Sequence, residues 1–213
     1  MKSGVLKYLD GVSVHPYRSK PPETAAEDFQ RLRKLIERYA SDDAKKRIPI
    51  FSGEWGYSSN TKGVSMETQA AFMVRQQLSN LLNGIPLSIW YDWKNDGADP
   101  AETEHNFGTV TPDLKPKPAY LAMQTLTREL SGYRITRRYD TGNKNDFVLV
   151  LTNRSGASKL AAWTMVMPHT VMLDFKVNPP TTVKGDGESC PLKIENGQLA
   201  VALEPTPQYV SLR

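Results

Sequence analysis

The sequence holds a single cysteine, Cys190, which excludes an internal disulfide and leaves no cysteine cluster for a metal. No apolar run reaches the roughly 18 residues that a membrane-crossing helix requires, so no membrane partner is expected. Like charge is nowhere massed beyond Lys45-Lys46-Arg47. The 27 basic and 23 acidic residues are interspersed, and a net charge of +4 spread this way gives no footprint for nucleic acid. There is no internal repeat and no low-complexity segment. The opening residues, MKSGVLKYLDGVSV, have neither the apolar core nor the small-residue cleavage site of a secretory signal. Nothing in the chain asks for a cofactor. At 39% hydrophobic residues it lies well above the disordered range, and its 213 residues suffice for one large domain or two modest ones.

What is present is a change of period near Gly132. Before it, short strand patterns alternate with helical ones. Gly11-Val12-Ser13-Val14-His15 alternates and is ended by Pro16. Thr24 and Glu27 have capping-box spacing before a helix that carries Phe29, Leu32, Leu35, Ile36 and Tyr39. A second strand is read at Ile48 to Gly53, and a helix from Ser65 with Phe72, Val74, Leu78, Leu81 and Leu82 on its stripe. Asn83-Gly84 stops that helix. A third strand, Pro86 to Trp90, leads into a polar loop from Asp92 to Lys117. The last helix, Pro118 to Leu130, has proline in its first turn and Gly132 just past its end.

This β-α-β-α-β-α order with short connections predicts parallel strands covered by helices. Alternation within each strand places Ser13, Ser52 and Ser88 on one face with His15, Glu54 and Trp90. It places Val12, Val14, Phe51, Leu87 and Ile89 on the opposite face, under the helices. After Gly132 the period is two, with eight strands between Arg134 and Leu212 separated by turns such as Ser155-Gly156 and Asn196-Gly197. Short strands at that spacing predict a β-sandwich. The expected organisation is therefore residues 1–132 as an α/β domain and residues 133–213 as an all-β domain.

Three expected strand ends carry marked groups: His15-Pro16-Tyr17, Glu54-Trp55 and Trp90-Tyr91-Asp92-Trp93. Each alone is unremarkable, since a strand-end histidine is usually just hydrogen-bonded and tryptophans are usually core. Placed together at the same end of consecutive parallel strands, they bring a carboxylate, hydrogen-bond donors and aromatic faces to one point. Sugars are bound by that combination, because aromatic faces stack on pyranose C–H groups while polar groups read hydroxyls.

The segments VSVHPYR, IFSGEWGYSS, LSIWYDWKNDG and EHNFG followed by PKPAY resemble the last three barrel strands of clan A retaining glycoside hydrolases, families five and thirty-nine above all. The resemblance implies a partial (β/α)8 TIM barrel, its last three units, followed by a β-sandwich. It implies Glu54 as the nucleophile, His15 and Tyr17 as residues that contact substrate and hydrogen-bond that nucleophile, and Trp90 as the aromatic beneath the sugar. Trp55, Asp92 and Trp93 complete the expected substrate-binding set, and the implied partner is a carbohydrate.

In that clan the second carboxylate, the acid/base, is a Glu after an Asn at the end of strand four. No Asn-Glu stands on a strand of this chain, and about 130 residues carry three units where a barrel uses about 250 for eight. The expectation is a C-terminal portion of such an enzyme, with little activity alone. A non-catalytic carbohydrate-binding or structural module, and one half of a two-chain enzyme, are the alternatives. Unpaired edges beside residues 11–15 and 86–90 further predict self-association.

Overall fold

The computed structural model describes residues 1–42 and 48–212. The Lys45-Lys46-Arg47 run lies outside the described residues. The first region is a parallel sheet of three strands, β1 (Val12–Val14), β2 (Ile50–Trp55) and β3 (Ser88–Trp90), in that spatial order. Helices α1 (Ala26–Tyr39), α2 (Met66–Leu82) and α3 (Pro118–Leu130) follow the three strands in turn. α1 lays Phe29 and Ile36 against Ile50 and Trp55 to form the core behind β1 and β2. Full burial of side chains of this kind contributes about 1.5–3 kcal/mol each.

α2 is stopped at each end by local chemistry. The Ser65 hydroxyl accepts from the Thr68 amide at its start, and Gly84 takes a positive φ of 67° after its end. Its buried face is unusually polar. Gln69, Arg75, Gln76 and Asn80 are all nearly inaccessible, and each bonds a different neighbour. Gln76 Nε2 donates to Trp55 O, and Asn80 Nδ2 donates to Ser88 Oγ. The helix thus fixes β2 and β3 through named hydrogen bonds as well as apolar contact.

The second region is antiparallel. Strands β4 (Tyr133–Tyr139), β5 (Asp146–Asn153), β6 (Ser158–Thr164), β8 (Thr181–Val183), β9 (Ser189–Pro191) and β12 (Gln208–Ser211) form one sheet in the order β4-β5-β6-β12-β8-β9. Strands β7 (His169–Leu173), β10 (Lys193–Glu195) and β11 (Gln198–Leu203) form a second, in the order β10-β11-β7. Val148, Val150, Leu160, Ala162 and Val210 of the larger sheet share an apolar layer with Leu173, Leu199, Val201 and Leu203 of the smaller. The other face of the larger sheet puts Phe147, Leu149, Leu151 and Trp163 against Leu78 of α2 and Leu130 of α3. That is why β5 reads as an unbroken apolar run: both of its faces are covered.

A buried ion pair of the first region is bonded by a tryptophan of the second. Arg75 Nε and Nη2 donate to the Glu23 carboxylate at 2.6 and 2.8 Å, and Trp163 Nε1 donates to Glu23 Oε1 at 2.7 Å. Both charged side chains are 3% exposed.

Several local expectations are corrected. The Thr24–Glu27 capping box does not form; a 3-10 turn (Pro22–Ala25) precedes α1, and Thr24 Oγ1 donates to Pro21 O. β2 starts and ends two residues later than read, because it follows Pro49 and stays paired as far as Trp55 with Trp90. The expected strand around Leu192 is two strands, β9 and β10, on different sheets.

The largest correction concerns the faces of the parallel sheet. Val12 pairs with Ile50 and Val14 with Ser52, while Ser52 pairs with Ser88, so Ser52 and Ser88 lie under the helices. Ser13 pairs with Phe51 on the opposite face, where Leu87 and Ile89 are each 47% exposed. The helix-covered face is thus Val12, Val14, Ile50, Ser52, Trp55, Ser88 and Trp90, and the open face holds Ser13, Phe51, Leu87 and Ile89. Parity was counted separately in each strand, and period-two counting cannot fix the relative phase of neighbours.

Candidate active site

β1 ends at Val14, and Pro16 turns the chain so that Tyr17 comes back over the end of β2. Tyr17 Oη donates to Glu54 Oε1 at 2.9 Å, and His15 Nδ1 stands 3.9 Å from the same oxygen. Glu54 owes its placement to a register shift between Ser52 and Trp55, which inserts an extra residue and re-aims the carboxylate. Gly53 is required next to it, since a Cβ there would come within 2.1 Å of Ser13 Oγ. The carboxylate remains accessible, with 40% of the Glu54 side chain exposed. Burial and the Glu54 carboxylate push the Tyr17 phenol well above its ordinary value, so it stays a proton donor.

The loop after β3 closes one side of this cluster. Phe107 meets Tyr17 edge-on at 6.2 Å and Tyr91 at 5.3 Å. Tyr91 Oη donates to Glu104 Oε2 at 3.2 Å. Gly56 allows this closeness, because a Cβ at that position would stand 1.7 Å from Tyr91 O. Two buried side chains hold the loop down. Gln69 Nε2 of α2 lies 2.7 Å from Tyr57 O, 3.0 Å from Asn106 O and 3.2 Å from Phe107 O. Lys117 Nζ donates to Ser59 Oγ, Asn95 Oδ1 and Asn106 O at 3.1–3.3 Å. Burial pushes the Lys117 ammonium down to about 8, with Asp92 acting in the opposite direction.

The expected residues therefore divide. Glu54, His15 and Tyr17 are together. Trp55 is fully buried behind β2, with the Arg18 guanidinium over its ring, and is no platform for a sugar. It follows the carboxylate by one residue and points to the other face. Trp90 pairs with Trp55 on that same helix-covered face, and its Nε1 donates to Phe107 O. With Asp92 and Trp93 it lines a separate pocket of about 430 Å³, closed by Met73, Tyr120 and Met123. Trp93 is 62% exposed there and meets Tyr120 edge-on. Tyr91, one residue on from Trp90, is the strand-three aromatic that reaches the Glu54 cluster. It and Phe107 were missed as site residues. The opposite parity of Tyr91 to Trp90, taken with the extra residue in β2, is the signal that points to it.

No protein-family model and no curated protein matches the chain. Solved structures do. Its structural neighbours are clan A glycoside hydrolases. A family 39 glycoside hydrolase from the gut symbiont Bacteroides cellulosilyticus superposes with a TM-score of 0.86 at 26% identity, over 99% of this chain and 46% of that one. A family 51 arabinofuranosidase from Xanthomonas axonopodis pv. citri gives 0.60 at 12% identity, over 97% of this chain and 53% of that one. A family 30 xylanase from Talaromyces cellulolyticus gives 0.55 at 10% identity, over 99% and 46%. The last two likenesses concern the fold. The chain spans about half the length of the enzymes it matches.

Proposed function

We propose that the chain is the C-terminal portion of a retaining glycoside hydrolase, with Glu54 as its nucleophile. In this reading the parallel sheet and its helices, within residues 1–132, are the last three units of a TIM barrel, and residues 133–213 are an appended β-sandwich. The observation that carries it is the 2.9 Å hydrogen bond from Tyr17 Oη to Glu54 Oε1 on a strand end. A phenol that donates to one carboxylate oxygen holds the group in a fixed orientation, as attack on an anomeric carbon requires. Tyr91 and Tyr17 offer aromatic surface beside it, backed by the buried Phe107, and His15 a polar contact. The similarity to a family 39 enzyme over 99% of the chain supports the same reading.

Retaining chemistry needs a second carboxylate about 5–5.5 Å from the first. Glu104, which accepts from Tyr91 Oη, follows the third strand and not an Asn-Glu strand end as the clan's acid/base does, so in this reading protonation of the leaving group falls to residues outside this chain. Alone, the chain is then limited to substrates whose leaving group needs no proton. The test is incubation with an activated glycosyl fluoride and intact-mass analysis. A single glycosyl adduct on Glu54, absent from Glu54→Gln, is expected; no adduct, or one on another residue, overturns the reading.

A second reading, one half of a two-chain assembly or a self-associating module, is favoured by the open sheet face. Among the described residues β1 and β3 have no strand partner on their outer edges, and Leu87 and Ile89 are exposed at the β3 edge.

A further inference from the structure

We propose that the Glu54 site is specific for neutral sugars and rejects those bearing a carboxylate, sulfate or phosphate. This rests on the reading of Glu54 as nucleophile and adds the substrate class.

The groups that surround the site are acids. Glu54 takes the Tyr17 proton donor and Glu104 takes that of Tyr91. Asp96, and Asp92 from the neighbouring pocket, also act through space on the Tyr91 phenol. The charged groups that act most strongly on Tyr17 and on Tyr91 are all carboxylates. His15 supplies the basic contact, at 3.9 Å.

This acidity is local, since the chain as a whole is basic, with a net charge of +4. The cations near this end of the molecule are committed elsewhere. Arg18 bonds Asp28 and lies over Trp55 on the helix side of the sheet. Lys117 is buried on three neutral oxygens, with Asp92 the nearby acid acting on it. An anionic sugar brought to Glu54 would meet the Glu54 and Glu104 carboxylates, and neither Arg18 nor Lys117 is free to pair with it. A neutral sugar meets hydroxyl-reading acceptors, Glu54 and Glu104, beside the aromatic rings of Tyr17 and Tyr91.

The test compares two probes on the 213-residue chain, glucosyl fluoride and glucuronyl fluoride, which differ only in the exocyclic group. In each, the Glu54 carboxylate forms an ester bond to the anomeric carbon as the C–F bond breaks and fluoride leaves. Labelling at Glu54 is expected to be faster for the neutral probe by on the order of tenfold or more, from like charges about 7 Å apart at an effective dielectric near 20. The gap should narrow as salt is added, because screening weakens the repulsion. Asp96→Lys, on the exposed rim, should raise the glucuronyl rate and leave the glucosyl rate nearly unchanged. Equal or faster labelling by the glucuronyl probe overturns the proposal and leaves the Glu54 reading intact, as does a ratio that neither salt nor Asp96→Lys moves. Labelling by neither probe overturns both.

Discussion

The two regions of this molecule bury their sheets differently. In the antiparallel region each apolar face finds a partner within the chain. The large sheet packs on the small one through Val148, Leu160 and Val201, all at 0% exposure, and on the helices through Leu149 and Trp163. In the parallel region only the helix side is covered, and Leu87 and Ile89 stand half open on the other. A sheet of β/α units buries its inner face only by closing with further strands. The antiparallel region is self-sufficient in this sense and the parallel region is not, although the parallel region carries the candidate site. The two are coupled by the packing of Leu78 and Leu130 on the larger sheet, by the Glu23–Arg75 pair under Trp163, and by Lys159 Nζ with Glu129 Oε2 at 2.8 Å.

The largest way to break the comparison is to cut the Glu23–Arg75 pair. Arg75→Met leaves the Glu23 carboxylate buried and unpaired, and is expected to cost about 3–5 kcal/mol in denaturant unfolding. If the regions unfold as one, the loss shifts a single transition; if the contact does not couple them, only a parallel-region phase moves. A pair of truncations sharpens it further. Leu149→Ala, in the covered layer, should cost about 2–5 kcal/mol, whereas Leu87→Ala on the open face should stay within about 0.5 kcal/mol. Similar costs would mean that the open face is covered in solution.

Charge on the open face probes that cover directly. Leu87→Lys with Ile89→Lys should convert any sedimenting dimer into a monomer without changing the far-ultraviolet spectrum, since charged residues block edge and face pairing. An unchanged sedimentation coefficient for wild type and variant, at the monomer value, would remove the self-association reading. The smallest expected effect is a titration in the antiparallel region. His169 is raised above its ordinary value by the Met167 carbonyl and by Asp146, whose carboxylate it meets at 2.9 Å. A histidine with a raised folded value contributes stability that is fully present below about pH 6.5 and is lost as pH rises through that raised value. Stability should fall slightly across that window in wild type and be flat in His169→Gln.

Much of the fold was legible in the sequence. The period change near Gly132 marks where parallel gives way to antiparallel pairing, and α3 begins at Pro118 and ends at Leu130 as proline and glycine dictate. Glu54, His15 and Tyr17 were legible as well, because each sits at or just past the end of a strand, where β/α units present their chemistry. The misread faces of the parallel sheet share one cause. Which face of β2 meets which face of β3 depends on register, and the shift between Ser52 and Trp55 changes that phase partway along the strand. Trp90 therefore faces the helices and Tyr91 reaches the site, whereas Trp55 falls opposite Glu54 by alternation alone.

By itself the sequence determined what is set over a few residues: the order and type of the elements, the caps that start and stop α2 and α3, and the acid placed after a short strand. Only the tertiary structure decided what depends on pairing between distant segments. It brought Tyr17 within hydrogen-bond reach of Glu54, 37 residues away, and set the loop of Glu104 and Phe107 over Tyr91. It also made the buried polar face of α2 intelligible, since Gln69, Arg75, Gln76 and Asn80 find their partners on four different segments. Local propensity acts through near neighbours in the chain, whereas hydrogen bonds across strands and loops exist only once the register is fixed.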